Sequence, residues 1–136
     1  MNDESLAAAI ADAAPDAIIF ADRGGVIRFW NRAAETVFGH AAADAVGRNL
    51  DLIIPERLRA AHWEGFDKAI ASGVTRHSGK AMTTRSMHKD GHRIYVELIF
   101  GLRRDAAGTV IGSLACGRDC TERQLARAAS SSAPAT

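Results

Sequence analysis

A chain of 136 residues with 47% hydrophobic and 24% charged side chains has the makeup of one soluble globular domain with a real core, and is too short for two. Its formal charge of +1 is dispersed, with no block of Lys and Arg to suggest nucleic acid as a partner, and apolar runs such as AIIFA are far too short to span a bilayer. The acidic start MNDESLAAAIADAA lacks the basic opening and long apolar stretch of a secretory signal, so a cytoplasmic location is the expectation.

From the N-terminus, SLAAAIADAA reads as a short Ala-rich helix capped by Asp3 or Ser5 and stopped by Pro15. DAIIFAD and VIRFW read as two strands joined by the RGG turn, a hairpin. Asn31 follows at once and suits the cap of a helix over RAAETVF, with Gly39 ending it. AAADAVG adds a helical turn or two, and NLDLII leads to Pro55. PERLRAAHWEGFDKAIASG then reads as the long helix, with Pro55 in its first turn and Gly73 at its end.

The second half changes period from helical to alternating. GKAMTTRSMHK reads as a strand that Asp90-Gly91 turns back into HRIYVELIFGLRR. There Ile94, Val96, Leu98, Phe100 and Leu102 share one face, and Arg93, Tyr95, Glu97, Ile99 and Arg103 the other. DAAG turns into TVIGSLACGRD, the last strand, and TERQLARAA begins a helix before the frayed tail SSSAPAT. This order predicts an α+β fold: one antiparallel five-stranded sheet with helices packed on one face. The expected divisions are an N-terminal cap helix at 1–14, the main domain at 15–121, and a helix start with its tail at 122–136. Cys116 and Cys120 stand four apart without a second pair, so they read as reduced thiols rather than a disulfide or zinc framework.

His62 is the anomaly. Leu58, Ala61, Gly65, Phe66, Ala69 and Ile70 recur at three- and four-residue spacing, and His62 falls near the middle of that apolar face. Periodicity alone leaves it either a core histidine bonded to a backbone carbonyl or a ligand-binding imidazole. Trp63 reads as packing at the helix edge. His88 and His92 flank the Asp90-Gly91 turn and read as solvent-exposed, and His40 lies in a connection between helices.

Four stretches in order, PDAIIFADRGGVIRFWNRAAETVFGH, AVGRNL with IIPERLR, HKDGHRIYVEL, and GRDCTERQ, resemble a PAS domain from about Ala14 to Thr121. The resemblance implies a sensor and interaction module whose sheet and helices enclose a small-ligand site, not an enzyme. No nucleophile–base pair or phosphate loop in the chain suggests otherwise. Within that family, the helix is similar to the one carrying the haem-ligating histidine in the PAS domains of rhizobial oxygen-sensor kinases and haem-regulated phosphodiesterase sensors. The shared pattern is Pro55, His62, Phe66 and Gly73, without a gap. It implies haem b with His62 as the proximal iron ligand. Phe66, Met82, Leu98, Leu114 and Cys116 would lie around the haem, and Lys68, Arg76 and His77 would stand near its propionates.

Where the oxygen sensors place an oxygen-binding arginine, counting gives Met82, whose thioether donates no hydrogen bond. Met82 would then be a distal iron ligand or part of an apolar pocket wall. The phosphodiesterase sensors use a methionine two positions earlier, where this chain has Lys80. The expected signal is therefore a diatomic gas (O2, CO or NO) or a redox change, acting through Met82 and the Leu114–Cys116 strand. Leu50 follows Asn49 where light-oxygen-voltage relatives carry their reactive cysteine, which excludes a flavin photoadduct. The alternative is a cofactor-free interaction module or small-metabolite sensor. The expected partners are a second copy, held through the N-terminal helix and the outer sheet face bearing Tyr95 and Ile99, and a separate output protein.

Overall fold

A computed structural model describes residues 2–75 and 79–132. Two hairpin-forming segments and a helical crossover build a single antiparallel sheet. Strand β1 (Ala17–Asp22) pairs with β2 (Ile27–Trp30) through the RGG turn. Helices α2 (Arg32–Phe38) and α3 (Ala42–Ala45) and the long α4 (Arg59–Ser72) then carry the chain across to β3 (Ala81–Met87), β4 (Arg93–Arg104) and β5 (Val110–Asp119). The last strand returns beside the first, giving the order β2-β1-β5-β4-β3. The termini are helical, α1 (Asp3–Ala13) and α5 (Thr121–Ser132). This is the α+β arrangement expected from the order of periodicities.

Asn31 holds the entry to this architecture. Its side chain is fully buried, and all its hydrogen-bonding capacity is used. Oδ1 accepts from the Ala34 amide (3.0 Å), capping α2, and from the Ile18 amide (2.8 Å) on β1. Nδ2 donates to the carbonyls of Ala11 and Asp16, each at 2.9 Å. One amide thereby ties α1, β1 and α2 together. Gly117 is required for a steric reason: a Cβ there would stand 1.8 Å from the Glu97 carbonyl of the paired strand.

Two local expectations need correction. Asn2 rather than Asp3 or Ser5 caps α1, accepting from the Ser5 amide at 2.7 Å. Pro55 opens a separate 3₁₀ turn, Glu56–Leu58, and α4 begins only at Arg59. NLDLII contains another 3₁₀ turn, Leu50–Ile53, because the Asn49 side chain accepts from the Asp51 amide (2.8 Å) and tightens it. Helix α1 packs against α2. Its last turn docks on α2 through Asn31 and an Asp12–Arg32 pair at 3.1 Å, while Leu6 and Ile10 stay exposed.

The core lies between the inner sheet face and α2, α3 and the Leu50–Ile53 turn. It joins Ile19, Ile27, Trp30, Phe38, Ile53 and Val96, with Phe38 and Trp30 in ring contact at 5.4 Å. Helix α4 contributes little to it, since Ile70 is the one buried residue recorded for that helix.

Candidate ligand cavity

Helix α4 is anchored at both ends. At its start, Arg59 donates to the carbonyls of Ile54 (3.0 Å) and Asp51 (3.2 Å), and the Trp63 indole donates to Asp51 Oδ1 (2.7 Å). At its end, Gly73 takes φ +74°, and Arg104 of β4 donates to the Gly73 carbonyl at 2.5 Å. Between these anchors the helix arches over the inner sheet face and leaves a cavity of about 850 Å³. That lies toward the upper end of the roughly 300–1,000 Å³ usual for ligand pockets.

The cavity explains the apolar face of α4. Leu58, Ala61, His62, Gly65, Phe66 and Ala69 line the space instead of packing tightly on the sheet. Opposite them stand Ile19 and Ala21 of β1, Thr84 and Ser86 of β3, Leu98 and Phe100 of β4, and Ser113 and Ala115 of β5. Leu50 and Ile53 close the side next to the 3₁₀ turn.

His62 faces this space half-buried, but its Nδ1 is fully enclosed and has no hydrogen-bond partner. The carbonyl bond expected of an ordinary core histidine is absent at that atom. Burial holds the imidazole below its ordinary pKa, against the opposite pull of Asp51 and Asp67, so the ring is neutral at pH 7. Its ring neighbours are Trp63 at 4.7 Å, nearly perpendicular, and Phe66 at 6.0 Å. Trp63 turns away from the cavity and packs over Gly25, where a Cβ would meet the indole at 2.2 Å.

The other expected site residues divide. Phe66 and Leu98 line the cavity, and Lys68 stands at its rim, exposed and 3.1 Å from Glu64. Met82 lies opposite Leu98 on the inward parity of β3 and is half-buried, but it is not among the lining side chains. Arg76 and His77 lie outside the described residues. Leu114 and Cys116 are corrections. Leu114 pairs with Gly101 and Phe20, and Cys116 with Ile99 and Ile18, so both belong to the outer sheet face. Ser113 and Ala115, one position away, face the cavity instead. Both cysteines are free, Cys120 the more buried of the two, and burial raises the Cys116 thiol pKa.

Sequence reasoning missed Thr84, Ser86, Ser113 and Ala115. The first two were accessible in principle, because they pair with Val96 and Ile94, already assigned to one face.

A family model described as PAS fold matches residues 11–125. The chain belongs to the PAS family. PAS domains are sensory and signalling modules. Among curated proteins, the chain is 32% identical over 95 residues to the oxygen sensor protein DosP of Escherichia coli, covering 70% of this chain and 12% of that protein. It is 26% identical over 114 residues to the sensor protein FixL of Bradyrhizobium diazoefficiens, covering 84% of this chain and 22% of FixL. The chain thus spans under a quarter of either relative. The PAS domain of a Colwellia psychrerythraea protein superposes with a TM-score of 0.76 at 24% identity, covering 90% of this chain and all of that domain, and establishes the fold alone. Among the described residues, no helix is long and apolar enough to cross a membrane.

Proposed function

We propose that this PAS domain is a sensor that holds haem b in the α4 cavity, with His62 as the iron ligand, and reads a diatomic gas or redox state. The observation that carries the proposal is His62 itself. Its imidazole, kept neutral by burial, lines an apolar space that α4 leaves unfilled. The names of DosP, an oxygen sensor, and FixL, a sensor, support the same reading.

The residues present fit the group. A neutral imidazole is a good iron ligand, and a pocket lined by Phe66, Leu98, Phe100, Ile53 and Leu58 suits a flat apolar macrocycle. Lys68 at the rim offers a cation to the propionates, since its pairing with the exposed Glu64 is easily exchanged. When bound, the haem would supply a redox-active iron able to take a diatomic ligand. The protein's part is to fix the imidazole on α4, exclude water with the apolar walls, and present Leu98 and Phe100 from the sheet. With Met82 outside the lining, the inner sheet face offers hydroxyls at Thr84, Ser86 and Ser113 but no lining methionine.

Partners follow from the exposed apolar groups. Ile99 on the outer sheet face and Leu6 and Ile10 on α1 are 47%, 50% and 62% exposed, separate apolar points at which a second copy or a separate output protein would gain contact.

The test is an absorption spectrum of the purified protein during hemin titration. One hemin per chain with a Soret band, lost in His62→Ala while circular dichroism is unchanged, is the expected result. A protein that takes up no hemin, or a His62→Ala spectrum identical to wild type, overturns it. The three sheet-face hydroxyls favour a second reading, a small polar metabolite bound without iron. Native mass spectrometry revealing an organic adduct on a colourless protein would select that reading.

A further inference from the structure

The turn joining β3 to β4 has no part in the cavity, yet it gathers three groups that bind metals. In HKDGH the backbone closes on itself: the His88 amide donates to the His92 carbonyl (3.0 Å), and the Gly91 amide to the His88 carbonyl (2.9 Å), with Gly91 at φ +94°. This closure puts the alternate residues His88, Asp90 and His92 on one side. The two imidazoles stack at 4.7 Å with planes 22° apart. One ligand atom from each of the three residues lies within 4.8 Å of the other two.

The arrangement is focused on Asp90 Oδ1. His92 Nδ1 is in hydrogen-bond contact with it, and His88 Nδ1 stands 3.3 Å away. The Asp90 amide donates to His88 Nδ1 at 3.2 Å, which makes that nitrogen an acceptor. Two acceptors, His88 Nδ1 and Asp90 Oδ1, therefore face each other with no proton between them. A cation there would be shared by the two, its bond to His88 Nδ1 replacing the one from the Asp90 amide, since the ring nitrogen has a single lone pair. The 3.3 Å between His88 Nδ1 and Asp90 Oδ1 suits zinc bonds of about 2.0–2.2 Å, which place neighbouring tetrahedral ligands roughly 3.3–3.5 Å apart, while His92 Nδ1 sits closer to Asp90 Oδ1 and would move away from it on metal binding.

We propose that His88, Asp90 and His92 form a surface site for one divalent first-row transition metal, of the class of Zn²⁺, Ni²⁺ or Cu²⁺. Two imidazoles and one carboxylate suit these ions, whereas Mg²⁺ and Ca²⁺ require oxygen ligands. Solvent completes the coordination on the open side. His88 is the fixed member: its half-buried ring lies against Gly39, where a Cβ would stand 2.5 Å from it. The Lys89 amide donates to the Phe38 carbonyl (2.9 Å), which pins the turn to the end of α2. Asp90 and His92 are exposed and free to adjust to the ion by side-chain rotation. Occupancy would clamp the β3–β4 hairpin beside core residue Phe38.

The experiment uses the full chain without an affinity tag, stripped by a chelator and titrated calorimetrically with Zn²⁺ and separately with Ni²⁺. One ion per chain is expected, together with a rise in thermal midpoint at saturating Zn²⁺. His92→Asn and Asp90→Asn alter exposed side chains, and circular dichroism checks that each still folds. Each is expected to weaken binding at least about tenfold, since removing even an outer partner of a metal ligand costs about 10- to 100-fold. His62→Ala should bind Zn²⁺ as the wild type does. Absence of stoichiometric uptake, undiminished uptake by His92→Asn, or loss of uptake in His62→Ala would each overturn the site. Because the turn and the cavity share no residue, failure here leaves the haem reading untouched.

Discussion

Replacing His62 by leucine separates what the imidazole costs the fold from what it does for a ligand. An unpartnered buried polar atom costs about 1–3 kcal/mol, and because the ring is only half-buried the low end applies, about 1 kcal/mol. Leucine removes that cost and adds some apolar contact in the cavity, so His62→Leu should stabilise the ligand-free domain by about 1 kcal/mol. For a chain of this size that corresponds to roughly 3–5 °C in thermal midpoint. The gain depends on pH. Burial holds the folded pKa of His62 below its unfolded value near 6.5, so protons favour the unfolded chain. The wild-type contribution is full above about pH 6.5 and is lost as pH falls toward the folded pKa. The leucine variant lacks this loss, so its advantage should widen from pH 7.5 to pH 5.5. His40, also lowered by burial and by Lys89 and Arg48, keeps a residual slope in both proteins. Urea melts of the ligand-free proteins at the two pH values measure the effect, and hemin titration of the variant should show no uptake. A leucine variant less stable than wild type at pH 7.5, or an advantage that shrinks at pH 5.5, would refute the reasoning.

Other substitutions probe the scaffold and the face assignments. Asn31→Ala removes four hydrogen bonds from a fully buried site and should cost about 2–4 kcal/mol in denaturant melts, with the α1 amides losing exchange protection first. Gly117→Ala places a methyl against the Glu97 carbonyl and should lower stability by more than about 2 kcal/mol, read as a thermal midpoint. Cys116→Ser, on the outer sheet face, should leave hemin affinity unchanged within error, whereas Ala115→Phe should abolish uptake by filling the cavity.

The elements were legible where local chemistry decides them. Asn31, Gly39, Gly73 and Asp90-Gly91 mark helix caps and a hairpin turn through properties that belong to single residues. The face of β4 was legible because Ile94, Val96 and Leu98 alternate with Arg93, Tyr95 and Glu97. The face of β5 was not, since GSLACG is small or apolar at every position and carries no alternation to read. Its parity comes from pairing, Phe100 with Ala115 and Ile19 with Ala115, a long-range fact. The cavity was half-legible. The apolar face of α4 and its histidine are visible in the periodicity. That this face would line a space rather than a packed core follows only from the anchors at Arg59, Trp63 and Gly73, which hold the helix off the sheet.

Strand β4 is where a ligand in that space meets the rest of the molecule. Its even residues Leu98 and Phe100 line the cavity, and its odd residues hold α5. The Tyr95 amide donates to Thr121 Oγ1 (2.9 Å), the Tyr95 carbonyl accepts from the Cys120 amide (2.8 Å), and Glu97 pairs with Arg123 at 2.5 Å. Leu98, a core residue, is joined by one peptide to Glu97, whose carboxylate meets Arg123 of α5. Surface ion pairs are weak, about 0–1 kcal/mol, so Glu97–Arg123 alone cannot fix α5. The two backbone contacts at Tyr95 supply the stiffer link, and they lie one residue from the inward-facing Ile94 and Val96. Such an arrangement links the cavity-facing strand β4 to a solvent-facing helix.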